Sequence, residues 1–516
     1  MKIPELGIGL TYHPVLDRVL EKYTGLIQVL EIEPQTHWIQ PDPSTNQYAI
    51  DQVTLKKIQN LPYHKLMHSI GFPVGGSRLP DPVEYPLHHT MIEALGVPWM
   101  SEHLSFNKAT YEGRDFVTNY MLPPLQTPAG VEAAVQTINS MQRQVPIPIA
   151  VETGVNYLRT IPGHIHDGLF MRHVVEQADC GILLDLHNLL TNQLNGRQSM
   201  QDFLAEIPLE RVVEIHVAGG KMRGNFYIDA HSGKIPDNLL DVAAALVPQL
   251  PNLGAMIFEI FPDYLSDLNN GLLQHDLEQL NRIWERRKRR KRAVAGITIQ
   301  SDRATSAFSA VGDNAQATAQ KEGGHAMQSS ASQHSIDICT VTPAEWEDVL
   351  AALVVDQPIH CPWESVKNDP AIELIKELIQ TFRASMVSES YRYTARLLMI
   401  YLGVEEYEKL LVDFWKTAPP EPFASTEGAN FIRYIQDMSI DVIGLQEVIN
   451  FEKAYTMTLL DGQDRIVNFP FDPLSFMKAL AEGRKPHQIF EGNYELAVEG
   501  GEGILENKFH HQAVVH

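Results

Sequence analysis

The chain has 516 residues, apolar and charged fractions of 44% and 20%, a formal net charge of -23 and three cysteines. That length exceeds one average domain and leaves room for an eight-stranded barrel plus a smaller unit. The negative balance excludes an electrostatic grip on a phosphate backbone, which needs a basic face, so no nucleic-acid partner is expected. Cys180, Cys339 and Cys361 are scattered and form no C-x-x-C pair. This suggests neither a disulfide framework nor a thiolate zinc site, and it points to a reducing compartment. The first stretch, MKIPELGIGLTYHP, lacks an apolar h-region, and no run approaches the ~20 apolar residues of a membrane span. A cytoplasmic protein without membrane contact is the expectation.

In chain order, eight short apolar runs recur, each followed by a polar, helix-compatible stretch: LGIGL, IQVLEIEP, KLMHSIGF, VPWMSEHLSF, IPIAVETG, CGILLDLHN, VVEIHVAGG and GAMIFEIF. Strands alternating with amphipathic segments such as TPAGVEAAVQTINSMQRQV indicate right-handed strand-helix-strand units. Eight of them over roughly 280 residues fit an α/β TIM (β/α)8 barrel. An open doubly wound sheet would ask for a Gly-rich first turn, which GIGLTYHP does not supply. Beyond the barrel, the run ERRKRRKR gives way to Ser, Ala, Gly and Gln with few large apolar residues, a composition that cannot bury enough surface to order itself. Three segments follow: a barrel domain over 1–285, a disordered linker with a basic start over 286–338, and a smaller, mainly helical α+β domain over 339–516. The basic run itself reads as a solvated helix end.

In a barrel the chemistry sits at the carboxyl ends of the strands. The polar residues falling there are nearly all of metal-ligand type: His68; Glu102 and His103; Glu152; Asp185 with His187 and Asn188; His216; and Glu259. Asp229 and His231 hang from the loop after the seventh strand, two residues apart and therefore able to face one way on an extended segment. Any one of these is ordinarily a core or capping residue. Six successive strands ending this way are different, because burying several carboxylates together without cations costs too much. Even four of these imidazoles with four of the carboxylates exceed what one ion can use, so two or three ions sharing bridging carboxylates are expected. Mixed nitrogen and oxygen ligands suit iron, manganese or zinc.

HSIGFPVGG, SEHLSF, VETGVNYL, LLDLHN, EIHVAGG, IDAHSGKIPD and IFEIFPDY, in this order, resemble the multinuclear non-heme iron-dependent oxidative enzymes (MNIO), the family of the methanobactin-biosynthesis oxidase. The resemblance covers about residues 5–285. It implies a TIM barrel holding two or three irons in mixed Fe(II)/Fe(III) state, with O2 as co-substrate, and oxidative modification of a ribosomally made precursor peptide, most often at cysteine. Carried over residue by residue, His68, His103, Glu152, Asp185, His216, Asp229, His231 and Glu259 fall on ligand positions, with Glu152 as bridge. Many relatives read Asn-Asn where this chain reads DLHNLL, so His187 and Asn188 both remain candidates for a third site, and Asn188 is preferred because it keeps the third place after Asp185. Asn156 is carried as a substrate-binding candidate beside a plain loop role. Glu102 and Lys221 are the only acid-base candidates beyond the ligands.

From about Val341 the pattern turns helical: PAEWEDVLAALVV, DPAIELIKELIQTFRASMV, SYRYTARLLMIYLG and VEEYEKLLVDFWKTA show apolar residues at three-to-four spacing. DGQDRIVNFPFDP and FEGNYELAVEG read as strands. YLGVEEYEKLLVDFWKTAPPEPFASTEGANFIRYIQ and VIGLQEVINFEKAYTM resemble the helical part of the separate partner proteins that accompany many of these oxidases and present the precursor peptide to the barrel. That resemblance implies a fused partner with a high effective peptide concentration over the site. The competing readings are a zinc or manganese barrel hydrolase or isomerase of the xylose-isomerase or endonuclease-four type, and a non-catalytic peptide-binding or metal-storage scaffold.

Overall fold

The computed structural model describes residues 3–41, 45, 47–261, 264–265, 271–293, 338–486, 490–499 and 514–515. Eight parallel strands close into a barrel: Gly7–Thr11, Val29–Ile32, His64–Ser69, Met100–His103, Ile149–Glu152, Gly181–Asp185, Val212–Val217 and Ala255–Phe258. The first strand pairs with both the second and the eighth, which closes the ring. Each of the eight expected runs supplies one strand.

Side-chain alternation explains what the barrel does with its sequence. Outward positions such as Leu30, Met67, Val151, Leu184 and Phe258 join the main core under the surrounding helices. Inward positions near the amino ends, among them Val29, Leu66, Trp99, Ala150, Leu183 and Ala255, fill the barrel interior. The first strand contributes Gly9 to this layer, where a Cβ would stand 2.5 Å from the Val29 carbonyl and 2.8 Å from Ile257. One or two inward steps further on, the same rows carry Glu31, His68, Ser101, His103, Glu152, Asp185, His216 and Glu259. In the seventh strand the register shifts between Ile182 and Leu183 of its neighbour, so that Glu214 and His216 pair with Leu183 and Asp185. That bulge keeps His216 in the polar layer.

Three small hairpins rise from the carboxyl end. One joins Phe106–Tyr111 to Arg114–Leu122 after the fourth strand, another joins Lys221–Arg223 to Phe226–Ile228 after the seventh, and a short one pairs Trp38–Ile39 with Ala49–Ile50. The first turns at Glu112 and Gly113, both at positive φ (48° and 74°), as a tight antiparallel turn requires. The helix Leu272–Ala293 covers the amino-terminal side and runs through the basic stretch. Arg287 in that stretch is buried against Trp284 and pairs with Glu5, so it belongs to the packing rather than to a fully solvated helix end. The expected linker, apart from that helix end and Ile338, lies outside the described residues. No helix among the described residues is long and apolar enough to cross a membrane.

The C-terminal half carries the expected helices at Pro343–Val354, Pro370–Ser390, Arg392–Leu402 and Val404–Thr417, then Ala424–Asp437, Leu445–Asp461 and Pro473–Ala481. The strands Arg465–Phe471 and Glu491–Val498 pair antiparallel. Its helices divide between two cores. Trp346, Leu350, Ile372 and Ile375 pack with Phe106, Leu122, Tyr157 and Ile228 of the barrel loops. Residues from Val387 onward build a separate core around Phe414, Phe431, Val448 and Phe469. Glu347 locks the first group to the barrel: it accepts from the Ser77 amide (2.6 Å), the Ser77 hydroxyl (2.7 Å) and Arg78 (2.6 Å).

Glu347 is almost fully buried. Removing one partner of a buried, charge-assisted set strands the others. Glu347→Ala is therefore expected to lower stability by about 2–3 kcal/mol in urea unfolding. A loss under about 0.5 kcal/mol would show that the barrel and the helix Pro343–Val354 do not depend on this lock.

Candidate metal centre

The polar layer brings four overlapping sets of donor atoms within 4.8 Å of one another: His68, His103 and Glu152; Glu152, Asp185 and His216; Glu31, His216 and Glu259; and Asp185, His231 and Glu259. Strand register does much of this, because His103 is level with Glu152 and Asp185 with His216. Glu152 Oε2 lies 3.3 Å from His68 Nε2 and 3.0 Å from His103 Nε2. Glu259 reaches His216 Nδ1 at 3.2 Å with one oxygen and His231 Nε2 at 3.4 Å with the other. Glu152 and Glu259 thus each stand between two imidazoles, as bridging carboxylates do.

Asp229 and His231 join the cluster through a fold-back of the chain. After the seventh strand the hairpin Lys221–Ile228 turns the loop over the strand end, and Ser232 N–H donates to the Gly219 carbonyl at 2.7 Å. A Cβ on Gly219 would fall 2.1 Å from the Ser232 carbonyl oxygen, so the approach admits only glycine. His231 sits at φ 42°, a left-handed conformation that a non-glycine residue adopts at a cost and that concentrates at functional sites. Its Nε2 lies 3.0 Å from Asp229 Oδ1, and His187 Nε2 lies 3.4 Å from the same oxygen.

The side chains behind the cluster aim it. His216 Nε2 meets Glu31 Oε1 at 2.8 Å, which turns Nδ1 toward Glu152 and Glu259. His68 Nδ1 contacts Ser101 Oγ at 2.9 Å, leaving Nε2 to the cluster. Glu102 Oε1 accepts from the His103 amide at 2.7 Å and faces its Nδ1 at 3.3 Å. A second group on the far nitrogen is the usual support for a metal-binding histidine. Glu31 was not among the residues singled out from the sequence, although it obeys the same inward alternation two places after Val29.

The electrostatics describe groups that need countercharge. Burial pushes the Glu152 carboxyl up to about 7 even with His103 and His216 beside it. Burial and the neighbouring Glu152 hold Asp185 well above the carboxylate range. Burial alone would raise Glu259 too, but His216 and His231 bring it well below. Despite their close approaches, Glu152 Oε2, His216 Nδ1 and Asp229 Oδ1 form no aligned hydrogen bond, and Asp185 Oδ2 and both His187 nitrogens are equally unpartnered. Lone pairs converging without hydrogen bonding one another fit cations, and the oxygen-nitrogen donor set suits iron, manganese or zinc.

Of the remaining sequence candidates, Asn188 donates to Glu152 Oε1 at 3.2 Å and to the Thr153 carbonyl at 3.1 Å, with its Oδ1 unpartnered. His187 and Asn188 therefore both keep a donor atom for an ion. Glu102 is fully buried and also accepts from the Phe72 amide, which makes it a support for His103 rather than a group open to substrate. Lys221 is exposed at the rim, against the Tyr264 hydroxyl. Asn156 turns to its own loop, where its Oδ1 accepts from the Leu158 amide at 3.0 Å.

The cluster opens into a cleft of about 3200 Å³ whose lining joins His68, His103, Glu152, Asp229, His231 and Glu259 to residues of the C-terminal helices, including Phe382, Met386 and Arg392. Asn156 and Glu102 are not among the lining residues. Asp185 and His216 lie beneath, fully buried.

A family model described as RiPP precursor modification enzyme MbnB/TglH/ChrH matches residues 5–264. The chain belongs to this family. Residues 5–264 contain every donor named above. Among curated relatives, a UPF0276 protein of Streptomyces avermitilis is 26% identical over 383 residues, covering 70% of this chain and 75% of its own. UPF0276 proteins of Chromobacterium violaceum and Bordetella pertussis are 27% and 28% identical, over 34% of this chain in each case, and the chain spans 61% of their length. Among solved structures, an L-ribulose 3-epimerase is 12% identical with a TM-score of 0.36, over 58% of this chain and all of that one. A D-psicose 3-epimerase from Clostridium cellulolyticum is 13% identical with a TM-score of 0.32, over 57% of this chain and all of that one. The barrel assignment rests on the strand pairing of the chain itself.

If Glu31 orients His216, Glu31→Gln is expected to weaken metal binding about 10- to 100-fold while leaving the circular dichroism spectrum unchanged. Competition against a chelator of known affinity measures this. Equal affinity in parent and variant would remove Glu31 from the centre.

Proposed function

We propose that the protein is an iron- and O2-dependent oxidase that modifies a side chain, most often cysteine, in a ribosomally made precursor peptide. The observation that carries the reading is the convergence of unpartnered histidine and carboxylate donors on the floor of a cleft large enough for a polypeptide, in a chain of the precursor-modifying family. His68, His103 and Glu152 would hold one ion. Asp185, His216, His231 and Glu259 would hold a second, with Glu152 or Glu259 as bridge. Asp229 with Asn188 or His187 would complete a third. When bound, two or three irons supply O2 activation and an electrophilic anchor for a substrate thiolate.

The chain's own residues do the rest. Glu31, Ser101 and Glu102 fix the ring orientations, so that no donor has to reorganise when charge develops nearby. The closed barrel wall around Asp185 and His216 excludes water from beneath the centre. The cleft walls hold the peptide so that one side chain reaches the floor, which replaces a bimolecular encounter by a positioned one. We assign peptide presentation to the C-terminal helices, in the role the separate partner proteins play elsewhere, because they form the wall facing the barrel mouth. The cytoplasm suits this chemistry, since a precursor cysteine stays a free thiol there.

The test is O2 uptake by protein purified and loaded with iron without oxygen, with and without a cysteine-containing precursor peptide encoded beside the gene. Peptide-dependent uptake with a matching change in peptide mass is expected, reduced at least about a hundredfold in Glu152→Ala. No uptake, with metal-dependent hydrolysis or sugar isomerisation in its place, would favour the zinc or manganese hydrolase or isomerase.

A further inference from the structure

The chain as a whole carries a net charge of -23, and several of the cleft carboxylates outside the metal cluster are already engaged by neighbouring groups. Asp17 pairs with Lys57, Asp51 caps its own helix at Thr54, and Asp461 pairs with Arg465. Glu452 is buried and accepts from the Tyr393 and Thr394 amides at 2.6 and 3.0 Å. Three cations lining the same cleft are exposed and form no ion pair or hydrogen bond among the described residues: Arg18, Lys56 and Arg392.

The same cleft is lined by four exposed large apolar side chains. Leu79 is 57% exposed, Val15 48%, Phe382 44% and Phe261 40%. Val15 and Arg18 follow the first barrel strand, whereas Phe382 and Arg392 belong to the C-terminal helices. Uncommitted positive charge and exposed apolar surface therefore occur together on both sides of the mouth, in a concave site where charge is focused.

We propose that the cleft docks an acidic, leucine-rich or similarly apolar segment of the precursor peptide, bridging the barrel side at Arg18 and Lys56 and the helical side at Arg392. The proposal rests on the reading of a peptide substrate and adds its chemistry: carboxylates opposite the three cations, apolar side chains against Val15, Leu79 and Phe382. An occupant that reaches both sides is a chain several residues long. Because surface charges act weakly one by one and are screened by salt, the preference arises from the set and fades with ionic strength.

The test is binding without turnover. Fluorescein-labelled peptides of alternating glutamate and leucine, and of alternating glutamine and leucine, are titrated with the purified full-length protein in the absence of oxygen, and anisotropy is followed. The acidic peptide is expected to bind about tenfold more tightly at ~50 mM salt, with the advantage largely gone at ~500 mM. The combined variant Arg18→Glu, Lys56→Glu, Arg392→Glu is expected to lose that preference, and the milder Arg392→Ala, whose fold is not in question, to lose about threefold. His231→Ala, which leaves the cations in place, is expected to keep it. Equal affinity for both peptides, or an undiminished preference in the combined variant, overturns the proposal. A preference carried by His231 would assign the acidic peptide to the metal floor and overturn it equally. Binding without any peptide-dependent O2 uptake would instead sink the oxidase reading and leave this docking surface standing.

Discussion

The structure depends on how a closed barrel tolerates several carboxylates and imidazoles in one dry place. Glu31, Glu152, Asp185, Glu214, Glu259, His68 and His216 are all nearly inaccessible to solvent, and a medium of low polarity does not accept such groups charged and unpaired. The chain meets this by alternating donors and acceptors around the ring, with Glu152 between His68 and His103 and Glu259 between His216 and His231. The alternation neutralises part of the charge but leaves lone pairs without hydrogens to accept. Cations would complete what the side chains begin, which is why we read the cluster as a metal site rather than as a buried salt-bridge network.

Once that layer is fixed, the rest of the carboxyl-terminal face follows. The Asp229–His231 loop reaches the cluster because Gly219 lets Ser232 return over the strand end. The hairpin that carries it is tied outward: Arg223 pairs with Glu377 at 3.2 Å on the helix Pro370–Ser390. On the other flank, Gln40 Oε1 accepts from the Thr426 hydroxyl and the Gln40 amide donates to Ser425 Oγ, both on the helix Ala424–Asp437. The C-terminal half is thereby held over the mouth, and the cleft between the two halves belongs to both.

Much of this was legible in the sequence. Eight strands stood out because each buries both faces, giving short apolar runs, and the donors stood out because they fall at the ends of those runs. Glu31 and Glu214 follow the same two-residue alternation but carry no local signal of their own: Glu31 lies in a run, IQVLEIEP, that holds no histidine, and Glu214 precedes the more conspicuous His216. The hairpin at Glu112 and Gly113 announced itself only by one glycine. Asn156 carried no local signal to separate a channel residue from one that caps its own turn. The lock at Glu347 and the wall formed by Phe382 and Arg392 join residues far apart in the chain, and such contacts leave no trace in local periodicity.

The central claim is that the barrel mouth holds a polynuclear iron centre to which the Asp229–His231 loop contributes. Elemental analysis of protein purified without added metal and without oxygen, beside Asp229→Ala and His231→Ala, tests it most directly. The account predicts about two to three irons per chain in the parent and about one fewer in each variant. Zinc or manganese in place of iron, or an iron content unchanged by both substitutions, would contradict it.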